Sequence, residues 1–465
     1  MAQDNKLRQA VIIIHGIGEQ RPMETLRGFV NSMLQDADDP EREQFYSEPD
    51  KQANTYELRR MQSAHLDIKT DFYEFYWAHH MSGEFHHVLN WVQQLLNREP
   101  DRRLKPFWLA GRGLAWIIAI ILVWWIISLL MGIVFPTGLW VSFTVVLLLG
   151  YSLITTQIAD AARYLHPSAR NVAVRQRIRA DGVALVRRLH ESGDYDRIVI
   201  VGHSLGAVIA YDIVRYAWLE YFDSYGYFDE PSHDALRKLE AFQLDADATP
   251  EQLAQFQDLQ RQVWLEQRQS GNRWLVTDLV TMGNPLTYID YVSAGGRDVF
   301  QQLVNLSEYP TAPPKKWSDA TPYAKNIPYE RDGETKIVKQ LHYDAVFACT
   351  RFTNYYFPTD LIGGPIAHLL GWGIRDVALD DAAGGWRSRF GSHNWYWFKT
   401  GDIDAGDRVR WQATMALRAS LQLDDETWKS NLHHLRDKHQ RKAIQSARSL
   451  RAFLAQMFSS STPPS

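Results

Sequence analysis

The sequence predicts an α/β protein: a mostly parallel sheet flanked by helices, interrupted by a two-helix transmembrane hairpin. Three observations lead there. Short runs of branched aliphatic residues alternate with helical patterns along the chain, which argues for parallel strands covered by crossover helices. One such run, at 198–201, passes into Gly202-His203-Ser204-Leu205-Gly206 and straight on into a small-residue helix. Residues 113–159 contain no charged residue at all.

In chain order, residues 10–16 read as a buried parallel strand, short, branched and ended by Gly16. A helix is expected at 23–35 and a strand at about 66–78. The uncharged segment then offers two spans, roughly 114–134 and 138–158, each meeting the ~20 residues that a bilayer requires. The turn between them is Phe135-Pro136-Thr137-Gly138. A basic amphipathic helix follows at 168–191, then a strand at 197–202 and a helix from Leu205. Residues 231–270 are polar and helical in pattern. There Thr249, Pro250 and Gln252 form a helix-start signature with Thr as N-cap, Pro at the first position and Gln at the third. Further strands are expected at 274–283, 344–357 and 374–379. Residues 291–335, rich in Pro, Tyr and charge, read as loops, and 408–458 as a helical tail. The expected organisation is an N-terminal part of the α/β domain at 1–107, the hairpin at 108–160, the C-terminal part at 161–400 with a helical insertion at about 220–272, and the tail at 401–465.

Composition narrows the function classes. Of 465 residues, 45% are hydrophobic and 22% charged, an ordinary globular balance. The formal net charge of −4 gives no electrostatic reason to expect nucleic acid as a partner. The single cysteine, Cys349, excludes an intramolecular disulfide and reads as a buried core residue. The polar N-terminus is not expected to be a signal peptide. Basic residues flank the uncharged segment on both sides: Arg98, Arg102, Arg103, Lys105 and Arg112 before it, Arg163, Arg170, Arg175, Arg177 and Arg179 after it. The positive-inside tendency then predicts an integral membrane protein of two passes, with the N- and C-terminal parts and the α/β domain they form in the cytoplasm and the lipid bilayer as a partner.

Gly202-x-Ser204-x-Gly206, set between an expected strand and an expected helix, would hold Ser204 on a strained turn at a helix N-terminus. The flanking glycines let the two elements approach without a Cβ clash, and the Leu205 N–H is available to a developing oxyanion. The first strand ends in His15-Gly16-Ile17-Gly18. Here the chain resembles the α/β-hydrolase superfamily, and within it the lipase-like esterases that carry His-Gly-x-Gly after the first core strand. The resemblance implies an α/β-hydrolase fold and assigns the second oxyanion N–H to Ile17.

It also implies the chain order Ser, acid, His. Asp360, in 358–366 just past the expected strand, is similar to the acid of the family's Asp-Pro-Ile-Gly-type loop, with Leu361 in place of proline. His393, in 391–397, resembles the base of the His-x-x-Tyr-Trp loop. Asp376, Asp380, His368, His433 and His434 are the competitors, and His203 is expected to point away from the serine. Residues 281–288 resemble the family's Gly-Ser-Pro-Leu turn, with Asn284 for Ser, and read as structural.

A serine needs a base within hydrogen-bond reach to become a nucleophile, the base needs an acid to fix its tautomer, and an acyl-enzyme follows. The expectation is a membrane-anchored serine hydrolase of carboxylic esters, lipid or phospholipid acyl esters above all, with no cofactor and no metal. The alternatives are a thioesterase acting on acylated proteins or other acyl thioesters, and a non-catalytic membrane scaffold.

Overall fold

Two separate apolar clusters lie on opposite sides of one sheet, and the alternation of side chains along the central strands divides the core between them. In a computed structural model, residues 7–17, 21–34, 45–53, 57–64, 66, 68–81, 123, 127, 131, 164, 169–225, 233–292, 296–318, 322–331, 333–381, 391–398 and 407–423 are described. Along β1 (Arg8–Ile14), Ala10, Ile12 and Ile14 join one cluster while Val11 and Ile13 join the other. Along β5 (Arg197–His203), Ile198 and Ile200 part from Val199 and Val201 in the same way. A strand buried on both faces reads as a continuous aliphatic run, which is why these two were legible.

The sheet has eight strands in the order β10-β9-β6-β5-β1-β4-β3-β2. They comprise β1, β2 (Phe45–Pro49), β3 (Arg59–Ser63), β4 (Lys69–Phe75), β5, β6 (Val276–Met282), β9 (Arg351–Tyr356) and β10 (Arg375–Ala378). A separate antiparallel hairpin is made of β7 (Ala324–Arg331) and β8 (Glu334–Leu341). Helices α1 (Glu24–Leu34) and α7 (Arg408–Leu421) contribute to one cluster. On the other side lie α2 (Ala169–Glu191), α3 (Leu205–Trp218), α4 (Asp234–Ala241) and α5 (Pro250–Gln269). Helix α6 (Arg297–Asn305) adds Phe300 and Val304 to that second cluster. Strand β1 sits between β4 and β5, so chain on either side of residues 108–160 pairs within one sheet.

Several expectations are corrected. The sheet is mixed: β10 to β4 run parallel, but at one end β3 pairs antiparallel with both β4 and β2. The edge strand β2, FYSEP, is largely exposed and its neighbour β3, RRMQS, only partly buried, so neither has the apolar run that announces a core strand. The span read as loop at 291–335 contains α6 and most of the β7–β8 hairpin. The strand expected over 344–357 is a 3-10 turn at Val346–Ala348 followed by the shorter β9.

The transmembrane hairpin and the two-pass integral membrane placement are also overturned: no described helix is long and apolar enough to cross a membrane. The helices that have the length, α2 with 23 residues and α5 with 20, carry arginines or a mixture of charges and glutamines along their whole course. The expected spans at 114–134 and 138–158 lie outside the described residues except for Val123, Ile127 and Met131.

Other details agree with expectation. Thr249 caps α5 in a full capping box, its side chain accepting from Gln252 N while Gln252 accepts from Thr249 N. Cys349 is buried at 1% exposure.

Asp71 on β4 is the most heavily bonded buried carboxylate of the sheet. It accepts from Arg8 Nη2 at 2.9 Å, Arg60 Nη1 at 3.1 Å, Gln62 Nε2 at 2.6 Å and Tyr195 Oη at 2.6 Å. Replacing it leaves the Arg8 and Arg60 guanidinium groups only their more exposed partners, Asp194 and Glu48. Asp71→Ala is expected to lower the free energy of unfolding by ~3 kcal/mol or more, read from urea denaturation.

Candidate active site

The turn between β5 and α3 is built on forbidden space. Ser204, its only residue, has φ 55° and ψ −128°, a backbone conformation that costs a non-glycine residue ~1–3 kcal/mol and survives only where the surroundings impose it. They do so here. Ser204 N donates to Met282 O at 3.0 Å and Ser204 O accepts from Ala207 N at 2.9 Å. A Cβ on Gly206 would lie 2.3 Å from Ile14 O, and one on Gly202 would lie 2.6 Å from Gly206 O. Both positions therefore admit glycine alone, as the motif requires. Ser204 itself is buried, at 4% exposure.

The turn after β1 lies directly against this serine. A Cβ on Gly16 would stand 2.8 Å from Ser204 Cβ. His15 holds the turn in place. Its Nδ1 donates to Gly16 O at 2.9 Å, its Nε2 accepts from Trp77 N at 3.4 Å, and its carbonyl accepts from Trp77 Nε1 at 2.9 Å. The imidazole stacks on the Trp77 ring at 5.0 Å. Burial pushes the His15 pKa down to about 4, so the ring is neutral and serves as a prop rather than a base. Ile17 follows Gly16, half-buried against the core. Leu205 opens α3, so its amide belongs to the unpaired first turn.

The acid and the base meet on the other side of β6. Asp360 follows β9, and His393 lies in a 3-10 turn at Ser392–Asn394. His393 Nδ1 is 2.9 Å from Asp360 Oδ2 and 3.1 Å from Oδ1. The carboxylate can only accept, so Nδ1 carries the proton and Nε2 is left with a lone pair. Asp360 Oδ1 also accepts from Ile362 N at 2.9 Å and Gly363 N at 3.1 Å, and Oδ2 from Tyr396 Oη at 2.8 Å. Burial alone pushes its pKa up. The hydrogen bond and charge of His393 and the two backbone N–H groups outweigh that and bring it down to about 2.

Gly283, at the end of β6, joins the parts. It has φ +56°, and a Cβ there would lie 2.9 Å from His393 Cε1 and 3.0 Å from Asp360 Oδ2. Its neighbour Met282 accepts the Ser204 N–H. His203 adds a second link: its Nε2 donates to His393 O at 2.8 Å, and the two rings stand 4.9 Å apart. Asp360 and His393 are thus in direct contact, and the Met282–Gly283 backbone and His203 link them to the Ser204 turn. Among the described residues no hydrogen bond joins Ser204 Oγ to His393. Nucleophile–base bonds are commonly long in unliganded sites and tighten when substrate binds.

The competitors are placed elsewhere. Asp376 accepts from Ile366 N, Ala367 N and Asn354 Nδ2, pinning the loop before a short helix, Ala367–Leu370, that contains His368. Asp380 lies past the end of β10. His433 and His434 fall outside the described residues. Asn284 accepts from Leu286 N at 3.0 Å, capping the turn Pro285–Tyr288.

The sequence reading missed the supporting residues. Tyr396 bonds the acid, His203 bonds the base's own carbonyl, and Asp381 ties the two loops together by accepting from Thr359, whose hydroxyl lies 3.3 Å from Ser392 Oγ. Only Tyr396 had a local signal, its place three residues after His393.

No family model, no curated protein and no solved structure matches the chain.

Since its folded pKa lies below the ordinary carboxylate value of ~3.9, Asp360 contributes stability that is complete above pH ~4 and is lost as the pH falls toward 2. Carboxyl carbon NMR is expected to give a midpoint near 2 for Asp360. Tyr396→Phe, which removes one donor to the ionised form, is expected to raise that midpoint.

Proposed function

We propose that the chain is a serine hydrolase of carboxylic esters, with Ser204 as nucleophile, His393 as general base and acid, and Asp360 as the group that fixes His393. The observation that carries this reading is a serine forced to positive φ at a strand–helix elbow, its N–H bonded to Met282 O, while the adjoining Gly283 packs against an imidazole whose Nδ1 proton is held by a buried carboxylate. A turn of that cost, maintained by three glycine contacts, is strain stored at one hydroxyl. The chain order Ser204, Asp360, His393 and the motif resemblance to lipase-like α/β-hydrolases support the same reading.

The chemistry runs in two halves. Ser204 Oγ attacks the ester carbonyl as its proton passes to His393 Nε2. The oxyanion so formed is taken up by the amides of Leu205 and Ile17, and the alcohol leaves with the proton from His393. Water then repeats the sequence on the acyl-enzyme, releasing the carboxylic acid and Ser204. Asp360 remains ionised throughout, which its pKa of about 2 favours. The proposal extends to carboxylic esters as a class; the lipid-borne subset expected from the uncharged segment loses its support with the hairpin.

A fluorophosphonate reacts only with an activated serine, so it is the direct probe. Wild-type protein is expected to be labelled and to hydrolyse a short-chain nitrophenyl ester, while Ser204→Ala loses both with an unchanged circular dichroism spectrum. Asp360→Asn is expected to lower kcat by ~10^3–10^4-fold through the wrong His393 tautomer. Equal labelling of wild type and Ser204→Ala would sink the reading, and absence of labelling in wild type would favour the scaffold alternative.

A further inference from the structure

A second cluster of reactive side chains lies away from the serine. After β4 the chain makes a 3-10 turn, Ala78–Met81, that carries two consecutive histidines, His79 and His80. Side chains adjacent on such a turn normally diverge, yet these two rings converge to 3.8 Å between centroids. Helix α2 brings Asp181 to the same spot: His80 Nε2 and Asp181 Oδ2 are 2.9 Å apart. One ligand atom from each of His79, His80 and Asp181 lies within 4.8 Å of the other two. The approach of α2 is eased by its next residue. A Cβ on Gly182 would lie 2.2 Å from Ile213 Cδ1 and 3.3 Å from Phe75 Cζ, so a larger residue there would have to push the Ile213 side chain aside.

We propose that His79, His80 and Asp181 form a binding site for a divalent transition-metal ion of the Zn2+ type. Two imidazole nitrogens and one carboxylate oxygen are the donor set that such ions favour, whereas Mg2+ and Ca2+ prefer oxygen alone. Metal–ligand bonds of ~2.1 Å at the tetrahedral angle set two donor atoms ~3.4 Å apart, so the 2.9 Å between His80 Nε2 and Asp181 Oδ2 needs to open only slightly to admit the ion. Three protein ligands leave further positions to water. The His79 ring is exposed and the other two groups half-buried, so an ion has a path to them. His79 stacks over Tyr76, and Trp77 in the same turn holds the carbonyl of His15. A bound ion would therefore clamp the β4 exit to α2 on the side of the turn that supports Gly16.

The test uses the full chain, freed of metal by a chelator and then titrated with Zn2+ in competition with a chromophoric chelator. Wild type is expected to bind one more Zn2+ than His79→Ala or Asp181→Asn, or to bind that ion ~10-fold more tightly or better, since loss of a direct ligand costs at least what loss of an outer-shell partner does. Both variants alter groups at the surface, and His79→Ala leaves the His80–Asp181 contact untouched. Because only the folded chain presents the three groups together, added Zn2+ is also expected to raise the Tm of wild type and to leave both variants unmoved. The sixteen histidines elsewhere and here make the difference between wild type and variant the decisive quantity. Equal stoichiometry, affinity and Tm response in all three proteins would overturn the site, whatever the outcome at Ser204.

Discussion

The contact between the first turn of α3 and the ends of β1 and β5 is the constraint on which the rest of the site depends. Gly206 rests on the carbonyls of Ile14 and His15, and Gly202 on the backbone of Gly206 and Ala207. With helix and strands this close there is no room for an ordinary connection, and the single residue between them must take positive φ. The cost is local, while the support comes from both large apolar clusters, since β1 and β5 feed each of them. A turn held from two sides cannot relax toward an unstrained geometry without unpacking a layer of the core. The same contact brings Gly16 against Ser204 Cβ, so the two amide-bearing turns are registered to one another by backbone, not by flexible side chains.

The electrostatics of the acid–base pair follow from a different balance. Asp360 is buried, and a lone carboxylate there would be driven toward its neutral form. Four donors, from His393, Tyr396, Ile362 and Gly363, reverse that and keep it ionised. Each donor favours the charged form, and together they also fix the plane of the carboxylate. The imidazole then has one orientation open to it. Asp71 shows the same principle in a purely structural setting, where arginines, a glutamine and a tyrosine surround one buried charge that bridges β1, β3 and β4. The two carboxylates differ in what they hold. Asp71 holds two arginines that also pair with Glu48 and Asp194, while Asp360 holds a ring with a second nitrogen left over.

The legible parts of the fold were those written as local pattern. Strands β1, β5 and β6 are doubly buried and therefore continuous in apolar character, and α5 announces its start through Thr249, Pro250 and Gln252. The elbow was legible because its geometry demands glycine at two fixed offsets from Ser204. Strands β2 and β3 were not, because the exposed edge strand and its partly buried neighbour need not be apolar. The β7–β8 hairpin was hidden by its lysines, glutamates and prolines, which suit a two-stranded ribbon with half its residues in water. The uncharged segment misled in another way: absence of charge satisfies one requirement of a membrane span, and the described helices long enough to span are the polar α2 and α5. Contacts across long sequence separations left no trace at all. The bond from His203 to the carbonyl of His393, and the meeting of His80 with Asp181, each join residues a hundred or more positions apart.

How the loop bearing His393 keeps its place explains why supporting residues accumulate around it. A short 3-10 turn has little stability of its own, so its position must come from neighbours on both sides. Upstream, Ser392 lies within reach of the Thr359 hydroxyl, which itself bonds Asp381 in the chain that follows β10. Downstream, Tyr396 bonds Asp360 and accepts from Phe357 N, and Trp397 packs edge-on against Phe29 of α1 at 5.9 Å. Beyond it, Ser32 of α1 accepts from Phe398 N at 3.1 Å and lies 3.0 Å from Phe398 O. That hydroxyl has one proton and also faces Gly28 O at 2.9 Å, so it donates to one carbonyl at a time while accepting continuously. The loop is thereby fastened to the acid's own loop at one end and to a helix of the opposite layer at the other. His203, rising from the nucleophile strand, bonds the carbonyl in the middle. A ring held at three points from three different elements is fixed by the sheet and α1 together, and that rigidity suits it to the role of base proposed for it.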